Sequence, residues 1–323
     1  WDDDDAHCTD AQDFQDARAV AAELDIPLHR VSFADEYRAR VFVYFLTEYR
    51  AGRTPNPDVL CNREIKFGVC LGYAQRLGAR RFATGHYARL RHTARGPELL
   101  KARDAGKDQS YFLHAVERAH FERVLFPLGD LTKAEVRDIA REAGLPVFDK
   151  PDSTGICFIG ERPFREFLSR YLPAAPGDIV TESGEVIGRH RGLAFYTLGQ
   201  RGGLEIGGRA GHDEQAWYVA AKDLPRNRLV AVQGHDHPML VSRALATGPC
   251  NWLVRPAVPE FDSQIKVRYR QADQHCHASI DGAGALRVRF DEPQRAVTPG
   301  QFAVLYDGDL CLGGGVIENT VLR

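Results

Sequence analysis

Two cysteines stand in settings that favour thiol chemistry. Cys61 follows the proline-punctuated stretch Pro55-Asn56-Pro57-Asp58 at a predicted helix start, with Arg63 and Lys66 close by in sequence. A helix N-terminus and neighbouring cations both stabilise thiolate over thiol, which lowers the pKa and raises nucleophilicity at neutral pH. Cys157 lies in the glycine-bracketed stretch Asp152-Ser-Thr-Gly-Ile-Cys-Phe-Ile-Gly160, at an expected domain junction. Loops between domains can deliver a side chain to a distant site. Two cysteines placed this way suit thiol exchange or sulfur relay, one carrying a persulfide and the other resolving it. The competing reading makes both structural, with Cys61 buried at a helix start and Cys157 packed beside Ile156 and Phe158.

Other residues could bind rather than react. Gly85-His86-Tyr87 follows a predicted strand at the carboxyl edge of a sheet, where open α/β folds hold ligands; His86 is either a substrate contact or a satisfied structural histidine. Lys107-Asp108-Gln109-Ser110 joins a cation to an amide, suited to phosphates and base edges. Lys266, Arg268, Tyr269 and Arg270 set cations around an aromatic that could stack on a base. A structural metal is not expected. No C-x-x-C occurs, and neither His275-Cys276-His277 nor His235-Asp236-His237 has a second ligand pair at zinc spacing. Cys70 and Cys311 read as filler, and no phosphate loop of the type G-x-x-x-x-G-K-[ST] or S-G-G-x-D-S is present.

The elements that must position these residues can be read from spacing. Thr9 or Asp10 can cap a helix with apolar Phe14, Ala17, Val20, Ala21 and Leu24, which Pro27 ends. Leu28 to Phe33 has the character of a short strand. A second helix is predicted over 35–51 with Gly52 past its end, then a non-helical 53–58, then a third helix capped by Asn62 and closed by Gly78. Arg81 to Thr84 reads as a strand, and Thr132 with Glu135 as a capping box. Alternating helix and strand predict an α/β, doubly wound parallel sheet. Beyond about residue 160 a short helix near 164–171 is followed by hairpins at 179–187 and 217–232. From about 240 the alternation of Ile265, Val267, Tyr269 and of Phe302, Val304, Tyr306 predicts a small antiparallel barrel or sandwich, with Asp307-Gly308 as a tight turn. The expected division is 1–160 α/β catalytic, 161–235 small central and mixed, and 236–323 β-barrel.

Composition bounds the partners. The chain has 323 residues, 44% hydrophobic and 27% charged, which excludes collagen-like, disordered and coiled-coil classes. The longest apolar run, Val41 to Leu46, falls far short of the roughly 20 residues that span a bilayer, so no membrane association is expected. Seven scattered cysteines and no basic-then-apolar leader point to a reducing cytoplasm. A formal charge of −2 hides an asymmetry: residues 1–30 carry nine carboxylates against Arg18 and Arg30, whereas 50–110 carry thirteen Lys or Arg against five Asp or Glu. Such a local field can attract a polyanion, or it can be solvated surface.

The stretches GRTPNPDVLCNREIKF (52–67), ATGHYARL (83–90), KDQSYFL (107–113), DSTGICFIGERPFREFL (152–168), YTLGQRGGLEIGG (196–208), KVRYRQAD (266–273) and VTPGQFAVLYDGDLCLGGGVI (297–317) together closely resemble the bacterial tRNA-specific 2-thiouridylase family, in family order over almost the whole chain. The resemblance implies a PP-loop ATP pyrophosphatase-like first domain and sulfur transfer to C2 of the wobble uridine in tRNAs for Lys, Glu and Gln. It implies ATP, with Mg2+, to adenylate the carbonyl oxygen, and a persulfide donor protein to supply sulfur. Cys157 would bear the persulfide, and Cys61 would release the sulfur or resolve the disulfide. Asn56, Pro57 and Asp58 would meet the target base, with Asp58 a candidate acid or base. Gly85 would lie at the adenine nucleotide, and His86, Lys107, Asp108, Gln109, Arg268, Tyr269 and Gln301 would contact tRNA. A monomer is expected. The family also opens with a strand, an S-G-G-x-D-S loop, a helix and a second strand, and Trp1 aligns just beyond them. The expectation drawn from this is an incomplete first sheet with an exposed edge, unable to adenylate tRNA as it stands. Two further readings follow, a tRNA-binding remnant without catalysis and a thiol-redox protein joining Cys61 to Cys157.

Overall fold

Helices form where the apolar spacing is three and four, and their ends carry the expected punctuation. The computed structural model describes residues 10–151, 164–207 and 215–322. Helix α1 is Asp10–Glu23, and the backbone turns left-handed at Asp25 (φ 49°) just ahead of Pro27. Helix α2 covers 34–50 in three joined pieces, Ala34–Tyr37, a π-helical turn Arg38–Phe42, and Val43–Arg50. Helix α3 covers 57–76, from Pro57–Leu60 through a π-helical Cys61–Cys70 to Leu71–Arg76. The short α4 is Ser110–Leu113, and α5 is Lys133–Glu142. At α5 the capping box is complete: Thr132 Oγ1 accepts from Glu135 N at 3.3 Å, and Glu135 Oε2 accepts from Thr132 N at 2.7 Å.

Strand β1 (Phe82–Ala83) pairs in parallel with β4 (Val124–Leu125), with Thr84 N donating to Leu125 O at 3.1 Å just beyond. Between them the chain makes an antiparallel hairpin, β2 (Ala88–Thr93) and β3 (Gly96–Lys101). The stretch Leu28 to Phe33 is a correction. It is not a strand, since no described strand lies alongside to supply a ladder, and Leu28 and Val31 are both 41% exposed. β-branched composition favours a pleated surface only where a partner exists.

Helix α6 (Phe164–Ser169) leads into a four-stranded sheet of β5 (Gly177–Val180), β6 (Val186–His190), β7 (Trp217–Asp223) and β8 (Arg228–Gln233), ordered β6-β5-β8-β7, with only the β5–β8 pairing parallel. Its core takes Phe167 and Leu168 from α6, Ile179, Ile187, Val219 and Leu229 from the sheet, and Phe42, Phe45, Leu46 and Tyr49 from α2. The central unit and the first unit therefore share apolar contacts through α2.

The last part is a closed barrel. Strands β9 (Val241–Pro249), β11 (Glu260–Lys266), β12 (Gln274–Ile280), β13 (Ala285–Arg295), β14 (Phe302–Asp307) and β15 (Leu310–Leu322) run β14-β11-β12-β13-β9-β15, and β14 pairs β15 to close the ring. Alternate residues such as Ile265, Cys276, Val288 and Leu305 fill it. The short β10 (Asn251–Trp252) lies on β15 at the glycine run 313–315. Crowding explains the glycine at 313, because a Cβ there would sit 2.1 Å from Asn251 O on a backbone with φ 134°. The β2–β3 hairpin joins this sheet where Leu100 meets Leu310. A second core, with Val59, Phe67, Leu99, Tyr111, Phe302 and Tyr306, welds α3 and the hairpin to the barrel.

Candidate active site

Helix α3 carries the proposed thiol, and its start differs from expectation. Asn56 is the cap, its Oδ1 accepting from Asp58 N at 3.2 Å, and Pro57 takes the first helical position. Proline disfavours helix at the residue before it but suits the first turn, where its missing N–H costs nothing. Cys61 thus sits a full turn inside the helix, where the field of the N-terminus has largely decayed. Asn62 caps nothing. It is buried, and its Nδ2 donates to Phe112 O at 3.4 Å. Cys61 is half-buried against Val41, Leu60 and Ile65. Of the cations expected to polarise it, Arg63 donates from Nε to Glu64 Oε1 at 2.8 Å, so its charge is shared with a carboxylate.

Lys66 faces another way. Its exposed ammonium lies 3.5 Å from His86 Nε2, while His86 Nδ1 lies 2.9 Å from Thr84 Oγ1. An ammonium only donates, so Nε2 accepts and the Nδ1 proton points to Thr84. Burial, and then the Lys66 charge, lower His86 to about 3, which keeps the imidazole neutral. His86 is 7% exposed, packed beside Phe67 and Phe126. Burial raises the Asp58 carboxyl above the usual carboxylate range, with Lys66 pulling against it. Asp58 and Cys61, three residues apart on one helix, share a face.

The stretch before Asn56 is held from two sides. Thr54 N donates to Pro299 O at 3.0 Å, and Gln301 Nε2 donates to Thr54 O at 2.8 Å. Gly300 makes this approach possible: φ is 93°, and a Cβ would lie 2.9 Å from both Thr54 N and Thr54 O. From the central unit, Lys222 Nζ donates to Gly52 O at 2.9 Å, and Thr54 and Thr197 hydroxyls meet at 3.4 Å. The clamp at 299–301 was not anticipated as such. Its signal was the proline-glycine pair in VTPGQ, a turn that admits φ above zero.

The segment 107–113 ties α3 to the barrel. Asp108 is buried, accepting from Ala102 N at 3.0 Å and from the Ser110 hydroxyl at 2.9 Å, with Lys266 Nζ 3.8 Å away. Gln109 Oε1 accepts from Tyr87 N at 2.9 Å, next to His86. Lys107 is half-buried. Tyr269 stacks obliquely on Phe112, ring centroids 4.3 Å apart, and Arg268 Nη2 donates to Ala296 O at 2.6 Å. Gly85 is exposed at the carboxyl end of β1, and a Cβ there would find only Leu128 Cδ1, at 3.8 Å. Cys157 lies outside the described residues.

The positive stretch is partly neutralised by distant carboxylates. Arg89 pairs with Asp309 at 2.7 Å and Arg103 with Glu135 at 3.0 Å. Outside that stretch, Lys150 reaches Asp13 at 2.7 Å near the acidic start of the chain. Among the described residues no cluster of three or more His, Cys, Asp or Glu could hold a metal, and no helix is long and apolar enough to cross a membrane.

Comparison with known proteins divides the chain in three. Residues 1–161 match the tRNA methyl transferase HUP domain, 165–233 the tRNA methyl transferase PRC-barrel domain, and 242–317 the aminomethyltransferase beta-barrel domain. The tRNA-specific 2-thiouridylase MnmA of Chromohalobacter salexigens is 58% identical over 323 residues, covering 99% of this chain and 84% of that protein. The protein of the same name from Alcanivorax borkumensis is 57% identical over 324 residues, covering 99% and 88%. That from Marinobacter nauticus is 56% identical over 326 residues, covering 99% and 83%. A cysteine one turn into a helix whose leading stretch is clamped, with the raised Asp58 carboxyl in the turn before it, thus occurs in a chain that belongs to the tRNA-specific 2-thiouridylase family.

Proposed function

We propose that this protein catalyses ATP-dependent 2-thiolation of the wobble uridine in tRNAs for Lys, Glu and Gln, taking sulfur from a persulfide on Cys157. The observation that carries the reading is the Asn56-Pro57-Asp58 turn, led in by the clamped Thr54, with Cys61 one turn further on the same face of α3. A rigid turn and a thiol in fixed relation suit a base swung out of its stack, which must be held while its ring carbon is attacked. The relatives, matched over nearly the whole chain, are named as thiouridylases, which favours catalysis over the binding-only reading.

ATP supplies activation, converting the C2 oxygen into part of an AMP leaving group. Gly85, open and at the carboxyl end of a parallel strand, suits an adenine nucleotide. The chain's own residues then move sulfur and protons. In one route the terminal sulfur of the Cys157 persulfide attacks C2, AMP leaves, and the Cys61 thiolate attacks Cys157 Sγ, releasing the thiocarbonyl. In the other, Cys61 attacks first and frees hydrosulfide, which then attacks C2. Either route leaves a Cys61–Cys157 disulfide that an external dithiol reduces. Asp58, its carboxyl raised by burial against the pull of Lys66, is a candidate for taking and returning a proton.

Asn56 and Pro57 would hold the base. Lys107, exposed Arg268 and Tyr269 would meet the tRNA. His86, Asp108, Gln109 and Gln301, whose polar atoms already bond neighbouring segments, would act by fixing that surface. We propose the units as 1–160 catalytic, 161–235 central and 236–323 barrel, working as a cytoplasmic monomer with a persulfide donor protein. The test is 2-thiouridine formation, measured by mass spectrometry of digested tRNA with ATP, Mg2+ and a persulfide donor. Wild type should form it, while Cys61→Ser and Cys157→Ser should fall by at least a hundredfold with tRNA affinity kept. Undiminished thiolation by either variant contradicts the reading.

A further inference from the structure

Away from Cys61, the three units meet around a cavity of about 340 Å3. Gly52 and Arg53 come from the stretch after α2, Ala221 and Lys222 from β7, and Leu240 and Val297 from the barrel. Its volume falls at the lower end of the about 300–1,000 Å3 typical of small-molecule sites. Among the described residues only two lining side chains are charged. Arg53 is spoken for, because its guanidinium grips both carboxylate oxygens of Glu48. Lys222 is different. Its ammonium, with three protons to donate, has one hydrogen bond among the described residues, to Gly52 O at 2.9 Å, and no carboxylate within ion-pair distance. Burial lowers Lys222 to about 8, so it remains mostly charged at neutral pH while poorly solvated.

A half-buried cation with spare donors, in a hollow whose other polar lining is the hydroxyls of Thr54, Ser242, Thr298 and Thr320, is short of a charged partner. We propose that this cavity binds a small amphipathic carboxylate, its anionic head on Lys222 and its apolar body against Leu198, Leu240 and Val297. A single available cation matches a monoanion; a phosphate dianion would keep one charge without a cationic partner. A bound carboxylate would bridge all three units beside Gly52, Arg53 and Thr54, the residues that lead into the Asn56 turn, and would stiffen that turn.

Octanoate titrated into the full chain, followed by isothermal calorimetry, tests this. Saturable one-to-one binding is expected, with octan-1-ol binding at least tenfold more weakly because it brings no charge. Lys222→Met should lose octanoate binding. Ala221→Leu, which keeps the amine but narrows the cavity, should lose it too, so the test stands even if the lysine variant folds poorly. Absence of saturable octanoate binding, equal binding of octan-1-ol, or full binding by a folded Lys222→Met or Ala221→Leu protein would overturn the proposal.

Discussion

Residues 26–33 and 52–56 are both irregular stretches that lead into a long helix, yet the molecule treats them oppositely. The first exposes Ile26, Leu28 and Val31 and meets no described strand, although its residues are the β-branched and apolar kind. The second is rich in residues that break regular structure, yet Pro299, Gln301 and Lys222 hydrogen-bond its backbone from two other units. Order here comes from partners rather than from local preference. That suits the proposed hold on a base, because residues far from Cys61 in sequence fix the backbone that leads into its helix.

Acid should have the largest effect, and it acts on the packed side of the comparison, where His86 lies against α3 and His114 against the barrel. His86 and His114 are lowered to about 3 and about 4, chiefly by burial, so both are neutral when folded and titrate near 6.5 when unfolded. Below pH 6.5 the unfolded state binds more protons, so stability falls with pH until the folded values are passed. The slope is about 1.4 kcal/mol per pH unit per histidine, reaching about 3 kcal/mol each by pH 4. Urea midpoints measured from pH 7 to 4 should show this, and His86→Gln should reduce the slope by about 1.4 kcal/mol per pH unit. An unchanged slope in that variant would detach the site from the acid response.

Gly300→Val should come next. It forces a left-handed backbone on a β-branched residue and drives a Cβ into Thr54, at a cost of roughly 2–5 kcal/mol in chemical denaturation, with thiolation reduced further than stability alone explains. Gln301→Ala removes one hydrogen bond to Thr54 O and should cost about 1 kcal/mol while speeding amide exchange at 53–58. Val31→Thr, in the open stretch, should change stability by no more than about 0.5 kcal/mol. A large loss at Val31, or none at Gly300, would erase the contrast between the two stretches.

What the sequence revealed follows the range of each interaction. The Thr132–Glu135 capping box closes within one turn, so its residues declare it. The barrel strands alternate because one face of each is buried in the same core, and Ile265 and Val267 lie where alternation puts them, whereas Phe302, Val304 and Tyr306 turn to the second core and Leu305 enters the barrel. Asn56 and Asn62 both look like caps. Only the choice of Pro57 as first helical residue separates them, and that choice moved Cys61 inward by a turn. Leu28 to Phe33 misled because a strand is a pairing, and its composition says nothing about a neighbour. The grip of Gly300 on Thr54 and of Lys222 on Gly52 joins residues more than 150 positions apart, beyond any local pattern. For Cys61 the sequence pointed to the right helix, but the apolar cluster of Val41, Leu60 and Ile65 behind it appears only in three dimensions.

The most direct test of sulfur relay is peptide mass spectrometry of the full chain after one turnover with a persulfide donor, ATP and tRNA, without reductant. One Cys61–Cys157 disulfide should accumulate for each 2-thiouridine formed. Product formed while both thiols stay free would contradict the relay.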